Sequence, residues 1–188
     1  MNTVSLTEAT KLLLEGSVGV MPTDTVYGLV ARASDPVATA KLYALKHRDH
    51  KPGTVIAASI EQLIALGVEK KYLDRVEKWW PASLSVETPL GPHLAYLHQE
   101  TGRQGLRVVP DESVRAVLEQ TGPLATSSAN HPGKPGATSI QEAMDYFGDK
   151  VDFYVDGGDL SGRLPSTLVK LHEDGAIEVI RQGSVKIS

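Results

Sequence analysis

The chain contains no cysteine. That excludes disulfides, thiolate nucleophiles and cysteine-ligated metals, and it suits a cytoplasmic setting. Long apolar runs are missing too. Runs such as Val55-Ile56-Ala57-Ala58 fall far short of the ~20 residues a membrane-crossing helix needs. Met1-Asn2-Thr3-Val4-Ser5 has no basic region followed by an apolar core, so no secretory signal is read. There is no Walker A loop, no Gly-x-Gly-x-x-Gly fingerprint and no Gly-x-Ser-x-Gly elbow. Internal repeats and low-complexity tracts are absent. Positive charge is not in excess: 19 Lys and Arg against 23 Asp and Glu give a net charge of −4, so the surface as a whole does not advertise nucleic-acid binding. What is present is ordinary for a globular protein: 188 residues, 41% hydrophobic and 22% charged, enough for one domain with a real core.

Apolar periodicity and capping signals divide the chain. Ser5-Leu6-Thr7-Glu8 is a capping box opening a helix that ends near Gly16. Val18 to Met21 reads as a buried strand stopped by Pro22, and Leu29 to Ala33 as a second. Asp35-Pro36 starts a helix that runs to Lys46. Thr54 to Ala58 is a strand, and Ser59 caps the helix after it. Tyr72, Val76 and Trp79 are expected on one helical face, with the two tryptophans as core or rim packing. Strands are expected at Leu84–Thr88, Gly105–Val109, Leu124–Thr126, Phe153–Val155, Ser166–Leu171 and Ala176–Arg181. Helices are expected from Asp111 to Gln120 and from Ser139 to Phe147. Strands and helices intermix throughout, so the expected fold is α/β: a single domain over residues 1–188 whose twisted open sheet, mixed to antiparallel, is flanked by helices.

Four short motifs have a character unlike core filling. Pro22-Thr23-Asp24-Thr25 follows a buried strand, and ligands in α/β sheets sit beyond strand ends. Taken alone, Thr23 or Asp24 would more ordinarily cap a helical turn through Tyr27. Lys46-His47-Arg48 ends a helix, where cations also complement the dipole. Functionally, lysine supplies a point charge and arginine a fork for phosphate oxygens. His47 and His50 have metal-ligand spacing but no third ligand, so no metal site is read. Ser127-Ser128-Ala129-Asn130 leaves a strand as a small polar loop suited to phosphate or ribose, or to an ordinary turn. Ser166-Thr167-Leu168-Val169 and Arg181-Gln182-Gly183 complete the set. Together they describe a donor-rich, cationic pocket suited to a nucleoside triphosphate and a small polar acid.

These motifs, in this order, resemble the YrdC-like family of L-threonylcarbamoyladenylate synthases from about Val18 to Gly183. Pro22 to Leu29 meets its Pro-Thr-Glu/Asp-Thr-x-Tyr-Gly-Leu, and Lys46 and Arg48 its Lys-x-Arg. Ser128-Ala129-Asn130 and Ser166-Thr167-Leu168-Val169 also match, as do Arg181 and Gly183. Arg107 stands for the family's strand-end arginine, with Pro110 one residue late. The resemblance implies that L-threonine and bicarbonate give an N-carboxylated threonine, which attacks the α-phosphate of ATP to release pyrophosphate. A separate threonylcarbamoyl transferase complex would then modify tRNA. It implies threonine contacts from Thr23, Thr25, Arg107 and Ser166, and nucleotide contacts from Lys46, Arg48, Ser128, Asn130, Thr138 and Arg181. Lys46 and Arg48 would be the catalytic cations, and Mg2+ would be carried by the phosphates rather than by a protein site. The chain departs from the family in three places. Asp49-His50-Lys51-Pro52-Gly53 replaces the usual loop, Ala57 and Ala58 stand where many members have histidine, and Arg103 replaces a threonine. Ending at Ser188, it resembles the short form.

Two other readings remain at this level. One is a non-catalytic RNA-binding module using Lys41 to Lys51, with at most weak tRNA contact; the other is a paralogue with a changed acceptor. Arg48 and Asn130 are expected to serve ligand rather than core, so that their loss would leave thermal stability nearly unchanged.

Overall fold

The computed structural model describes residues 3–48 and 50–187; Asp49, part of the variant loop, lies outside them. Helix α1 (Leu6–Leu14) precedes a hairpin of β1 (Gly19–Pro22) and β2 (Tyr27–Arg32). Then come α2 (Pro36–Leu45), β3 (Thr54–Ala57), α3 (Ile60–Leu66), α4 (Lys70–Leu73), β4 (Leu84–Pro89), α5 (Ala95–His98) and β5 (Arg103–Val108). The rest is α6 (Glu112–Thr121), β6 (Leu124–Ser128), α7 (Ile140–Phe147), β7 (Phe153–Tyr154), β8 (Thr167–Leu171) and β9 (Ile177–Arg181).

The expected caps are where the helices begin. Ser5 accepts from Glu8, Asp35 from Val37 and Ala38, Ser59 from Gln62, Asp111 from Val114 and Ser139 from Glu142. Each satisfies an amide that the first helical turn leaves without a partner. Two expectations are corrected. Residues 72–79 do not form one helical face: α4 stops at Leu73 and a 3₁₀ turn covers Glu77–Trp79. Leu73 and Val76 pack into different apolar clusters, and the chain bends between them to serve both. The third strand motif is also longer than expected. Ser127 and Ser128 belong to β6, paired with Leu29 and Gly28, so the loop starts only at Ala129.

All named strands form one sheet in the order β7-β1-β2-β6-β3-β5-β4-β8-β9. The pairs β1–β7, β3–β5 and β4–β8 are parallel and the others antiparallel, the mixed sheet expected from the interleaved pattern. Helices cover both faces. On one, α2 and α7 bury Val20, Leu29 and Ala31, while Leu63, Leu73, Leu94 and Leu97 cover Val55, Leu106 and Ala125. On the other, α1 and α6 pack Leu13, Val114 and Leu118 over Met21, Val30, Ile56 and Leu124. Those two helices reach across only part of that face, and what they leave uncovered becomes the cleft.

Tyr43 joins α2 to this frame. Its buried hydroxyl donates to Leu97 O at 2.7 Å and accepts from the Gly53 amide at 3.3 Å, fixing both ends of the loop that carries Arg48. Tyr43→Phe leaves both backbone groups without that partner. It should cost about 1–3 kcal/mol in urea-induced unfolding. A loss under about 0.5 kcal/mol would show that the hydroxyl does not hold the loop.

Candidate active site

Cross-strand partners face the same side of a sheet, as do residues two apart on one strand. The register joins Gly28 to Ser128, Thr54 to Thr126 and to Gly105, Gly105 to Glu87, Ser85 to Leu168, and Leu168 to Arg181. A row of small, hydroxylic and charged residues therefore crosses the sheet just beyond the α1–α6 core. It floors a cleft of about 530 Å³, a volume suited to a nucleotide-sized ligand. Glycine keeps the floor low: a Cβ at Gly28 would stand 2.7 Å from Thr126 Oγ1 and 3.1 Å from Thr23 Cγ2.

Pro22-Thr23-Asp24-Thr25 forms the tight turn of the β1–β2 hairpin, not the cap of a helical turn. The Thr23 amide and hydroxyl both donate to Val26 O, at 3.2 and 2.7 Å. The Thr25 amide donates back to Thr23 Oγ1 at 3.2 Å, and the two hydroxyls lie 3.1 Å apart. This geometry turns Asp24 inward. Its Oδ1 accepts from Arg107 at 2.8 Å in an ion pair whose side chains are 1% and 4% exposed, and its Oδ2 accepts from Ser83 at 2.7 Å. Arg107 also donates to Ser85 Oγ at 3.0 Å, Ser85 shares a 3.1 Å contact with Ser166 Oγ, and Arg181 donates to Ser166 O at 2.9 Å and to Ser166 Oγ at 3.2 Å. One polar network thus links the hairpin turn to β5, β4, β8 and β9. Burial, and then the charge of Arg107, lower the Arg181 pKa. Gly183 lets the Arg181 segment lie against Pro165 and Ser166, where a Cβ would collide with backbone.

Lys46 and Arg48 are tied more deeply than helix-terminal cations need to be. Lys46 is 4% exposed and does not line the cleft. Its ammonium donates to Ser128 O and Asn130 Oδ1 at 2.8 Å each and to Asn130 O at 2.5 Å. It holds the polar loop from behind. Burial and the neighbouring Arg48 guanidinium pull its pKa down to about 8. Arg48 does line the cleft; it donates to Lys51 O, Pro52 O and Ser127 Oγ at 2.7, 2.8 and 3.1 Å, and burial lowers its pKa. The buried Nε atoms of Arg48 and Arg107 have no hydrogen-bond partner among the described residues. Asn130 ties its own loop together, donating to His131 O and Lys134 O and accepting from Ser128 Oγ. Arg48 and Asn130 therefore hold protein backbone as well as lining the cleft, a structural role that the expectation did not give them.

The cleft gathers Thr23, Thr25, Arg48, Arg107, Ser128, Asn130, Thr138, Ser166 and Arg181 from segments far apart in sequence. Two further cations line it, Lys134 and Arg163. The only sequence signal for either was its place inside a motif-bearing loop. Two of the departures from the family pattern are also placed. Ala57 and Ala58 are buried, and Arg103 is turned to Glu87, with its Nε 2.9 Å from Glu87 Oε1. Among the described residues no group of three or more His, Cys, Asp or Glu is arranged to hold a metal, and no helix is long and apolar enough to cross a membrane. Within the basic stretch from Lys41 to Lys51, Lys41 pairs with Asp152 at 2.8 Å, and Lys46 and Arg48 point inward.

The Sua5/YciO/YrdC family model, described as "Telomere recombination", matches residues 11–183. A threonylcarbamoyl-AMP synthase of Stutzerimonas stutzeri is 33% identical over 181 residues, covering 93% of this chain and 95% of the relative. Another, from Pseudomonas aeruginosa, is 34% identical over 169 residues and covers 86% and 89%. The crystal structure of P. abyssi Sua5 complexed with L-threonine superposes with a TM-score of 0.83 at 27% identity, over 95% of this chain and 54% of that one. The chain thus spans about half the length of the Sua5 structure it matches.

Two outcomes follow from the geometry. Asp24→Ala leaves the Arg107 guanidinium buried without its counter-charge and should cost about 3–5 kcal/mol in denaturant unfolding; a change under about 1 kcal/mol would mean that the pair is solvated in solution. Lys46 carries its full set of donors only while protonated, below about 8. Once neutral it has too few N–H groups for its acceptors, and the cleft loses a charge. ATP affinity measured by calorimetry should therefore fall as pH rises from about 7 to 9. A flat profile would show that the ammonium stays charged.

Proposed function

The chain belongs to the Sua5/YciO/YrdC family, and we propose that it is a cytoplasmic threonylcarbamoyl-AMP synthase using L-threonine, bicarbonate and ATP. The observation that carries this reading is the cleft itself. Hydroxyls of the hairpin turn and Ser166 adjoin Arg107 at one part, with Arg181 beside Ser166, and Arg48, Ser128 and Asn130 line the remainder. A small amino acid fits the first set and a polyphosphate the second.

In the proposed reaction the threonine nitrogen bonds to the bicarbonate carbon with loss of water. A carboxylate oxygen of the resulting carbamate then attacks the α-phosphorus of ATP. The bond from that phosphorus to the bridging oxygen of the β-phosphoryl group breaks, and pyrophosphate leaves. The sum is threonine, bicarbonate and ATP giving threonylcarbamoyl-AMP, pyrophosphate and water. The nucleophile is already an anion, so no general base is needed to activate it. The protein's part is to align the reactants, exclude water from the labile carbamate and oppose charge growing on the phosphates. Thr23, Thr25, Arg107 and Ser166 would hold threonine; Arg48, Ser128, Asn130, Thr138 and Arg181 would hold the nucleotide. Lys46 would act as a positioning residue through the Ser128–Asn130 backbone. Mg2+ would ride on the phosphates. That fits the donor set here, because the carboxylates nearest the cleft, Asp24 and Glu87, are already paired with arginines. A separate transferase complex would carry the product's acyl group to tRNA.

Incubation of the purified protein with ATP, threonine, bicarbonate and Mg2+ should release pyrophosphate only when both threonine and bicarbonate are present. Release without threonine, or none at all, would sink the assignment. Arg48→Ala should lower kcat/KM for ATP by about 100-fold or more.

A further inference from the structure

Most cations at the cleft already have partners in the protein. Arg107 is paired with Asp24, Arg181 with the oxygens of Ser166, and Arg48 with Lys51 O, Pro52 O and Ser127 Oγ, while Lys46 is sealed under the Asn130 loop. Two lining cations differ. The Lys134 ammonium makes no hydrogen bond or ion pair among the described residues, and Arg163 uses a single N–H, at 3.1 Å, on Thr23 O. Both residues are exposed, while their backbones are held. Lys134 O accepts from Asn130 Nδ2 at 2.6 Å, and the Lys134 amide donates to His131 O at 3.1 Å. The Arg163 amide donates to Leu160 O at 2.9 Å, and Leu160 is itself buried and donates its amide to Thr138 O at 2.8 Å. That last bond joins the loop carrying Lys134 to the strap carrying Arg163. The strap is also pinned by Tyr27, whose hydroxyl accepts from the Gly157 amide and donates to Gly158 O at 2.9 Å.

We propose that Lys134 and Arg163 form a clamp for the pyrophosphate end of the bound nucleotide and for pyrophosphate itself before release. The proposal rests on the reading of the cleft as an ATP site. Its physical basis is a division between fixed and available charge. A cation bonded to protein oxygens contributes field but has few N–H groups left to give, whereas a free ammonium and a mostly free guanidinium on anchored backbone can each close on phosphate oxygens. Pyrophosphate carries its charge on far fewer atoms than ATP does, so of the species in the reaction it has most to gain, for its size, from donors not already engaged.

Calorimetric titration of the full-length protein with inorganic pyrophosphate tests this without requiring turnover. The wild type should bind it. Lys134→Gln and Arg163→Gln should each weaken binding by about tenfold, and the double variant by about a hundredfold. Lys134→Arg should retain most of the affinity. In Lys134→Gln, L-threonine binding and the thermal midpoint should be unchanged, because that side chain is exposed and bonds to none of the described residues. Lys150→Ala, an exposed cation away from the cleft, controls for general charge and should bind as the wild type. No pyrophosphate binding by the wild type, or equal binding by wild type and double variant, would overturn the clamp. Parallel assays of threonine-dependent pyrophosphate release separate the two readings: loss of binding in the variants with no turnover by the wild type would sink the synthase assignment and leave the clamp standing.

Discussion

The buried Asp24–Arg107 pair is the contact on which the cleft's shape depends. A carboxylate and a guanidinium this far from water are tolerated only where each finds its counter-charge and further hydrogen bonds, and here Ser83 and Ser85 supply these. The pair locks a hairpin turn that the sheet alone would leave free to splay. It also fixes Arg107 at the point where β5 faces Ser85, and through Ser166 it reaches Arg181 on the edge strand. Breaking it would release both sides of the cleft together. The hairpin turn and the β8–β9 edge lie far apart in sequence yet share this one polar network.

Motif cations that bind protein oxygens have a second consequence. Lys46 does not meet the cleft, yet it sets the direction of Ser128 O, Asn130 O and Asn130 Oδ1. The two backbone carbonyls among them, of Ser128 and Asn130, once turned toward Lys46, direct the N–H of the same peptide the other way. A lysine seemingly suited to phosphate therefore acts first on the conformation of the loop that would meet it. Preorganisation of this kind removes a reorganisation cost from the binding step. It also explains why small polar residues cluster here without an apolar anchor: the ammonium is the anchor.

Much of the frame was legible because it rests on local rules. The caps at Ser5, Asp35, Ser59, Asp111 and Ser139 are readable from side-chain chemistry alone, and each starts a helix. Strand positions followed from short apolar runs between Pro, Gly and Asp. Where tertiary packing decides, the local rules failed. Residues 72–79 carry a helical pattern, but Leu73 and Val76 answer to separate cores. Ser127 and Ser128 read as loop because they are small and polar, yet pairing with β2 keeps them extended. In the site, sequence identified the residue types but not their partners. Nothing local shows that Asp24 lies 2.8 Å from Arg107 across 83 positions, or that Lys46 turns inward. Lys134 and Arg163 carried no periodicity or spacing to mark them; only the fold brings their loops together.

The departures from the family pattern are self-contained in the same sense. Arg103, where threonine is usual, adds no free charge to the cleft. Its Nε pairs with Glu87 Oε1, and its terminal nitrogen donates to Glu87 O at 2.9 Å and to Leu171 O at 2.5 Å. Glu87 lines the cleft opposite Gly105, in the row that floors it, and Arg103 neutralises its charge there. Ala57 and Ala58, where many relatives carry histidine, are buried, and Ala57 O accepts from the Val109 amide at 3.1 Å, so the strand end remains paired. A lost imidazole leaves room and removes a donor, whereas a half-buried ion pair ties β4 to β5. None of Ala57, Ala58 and Arg103 lines the cleft, so these changes leave its lining cations in place.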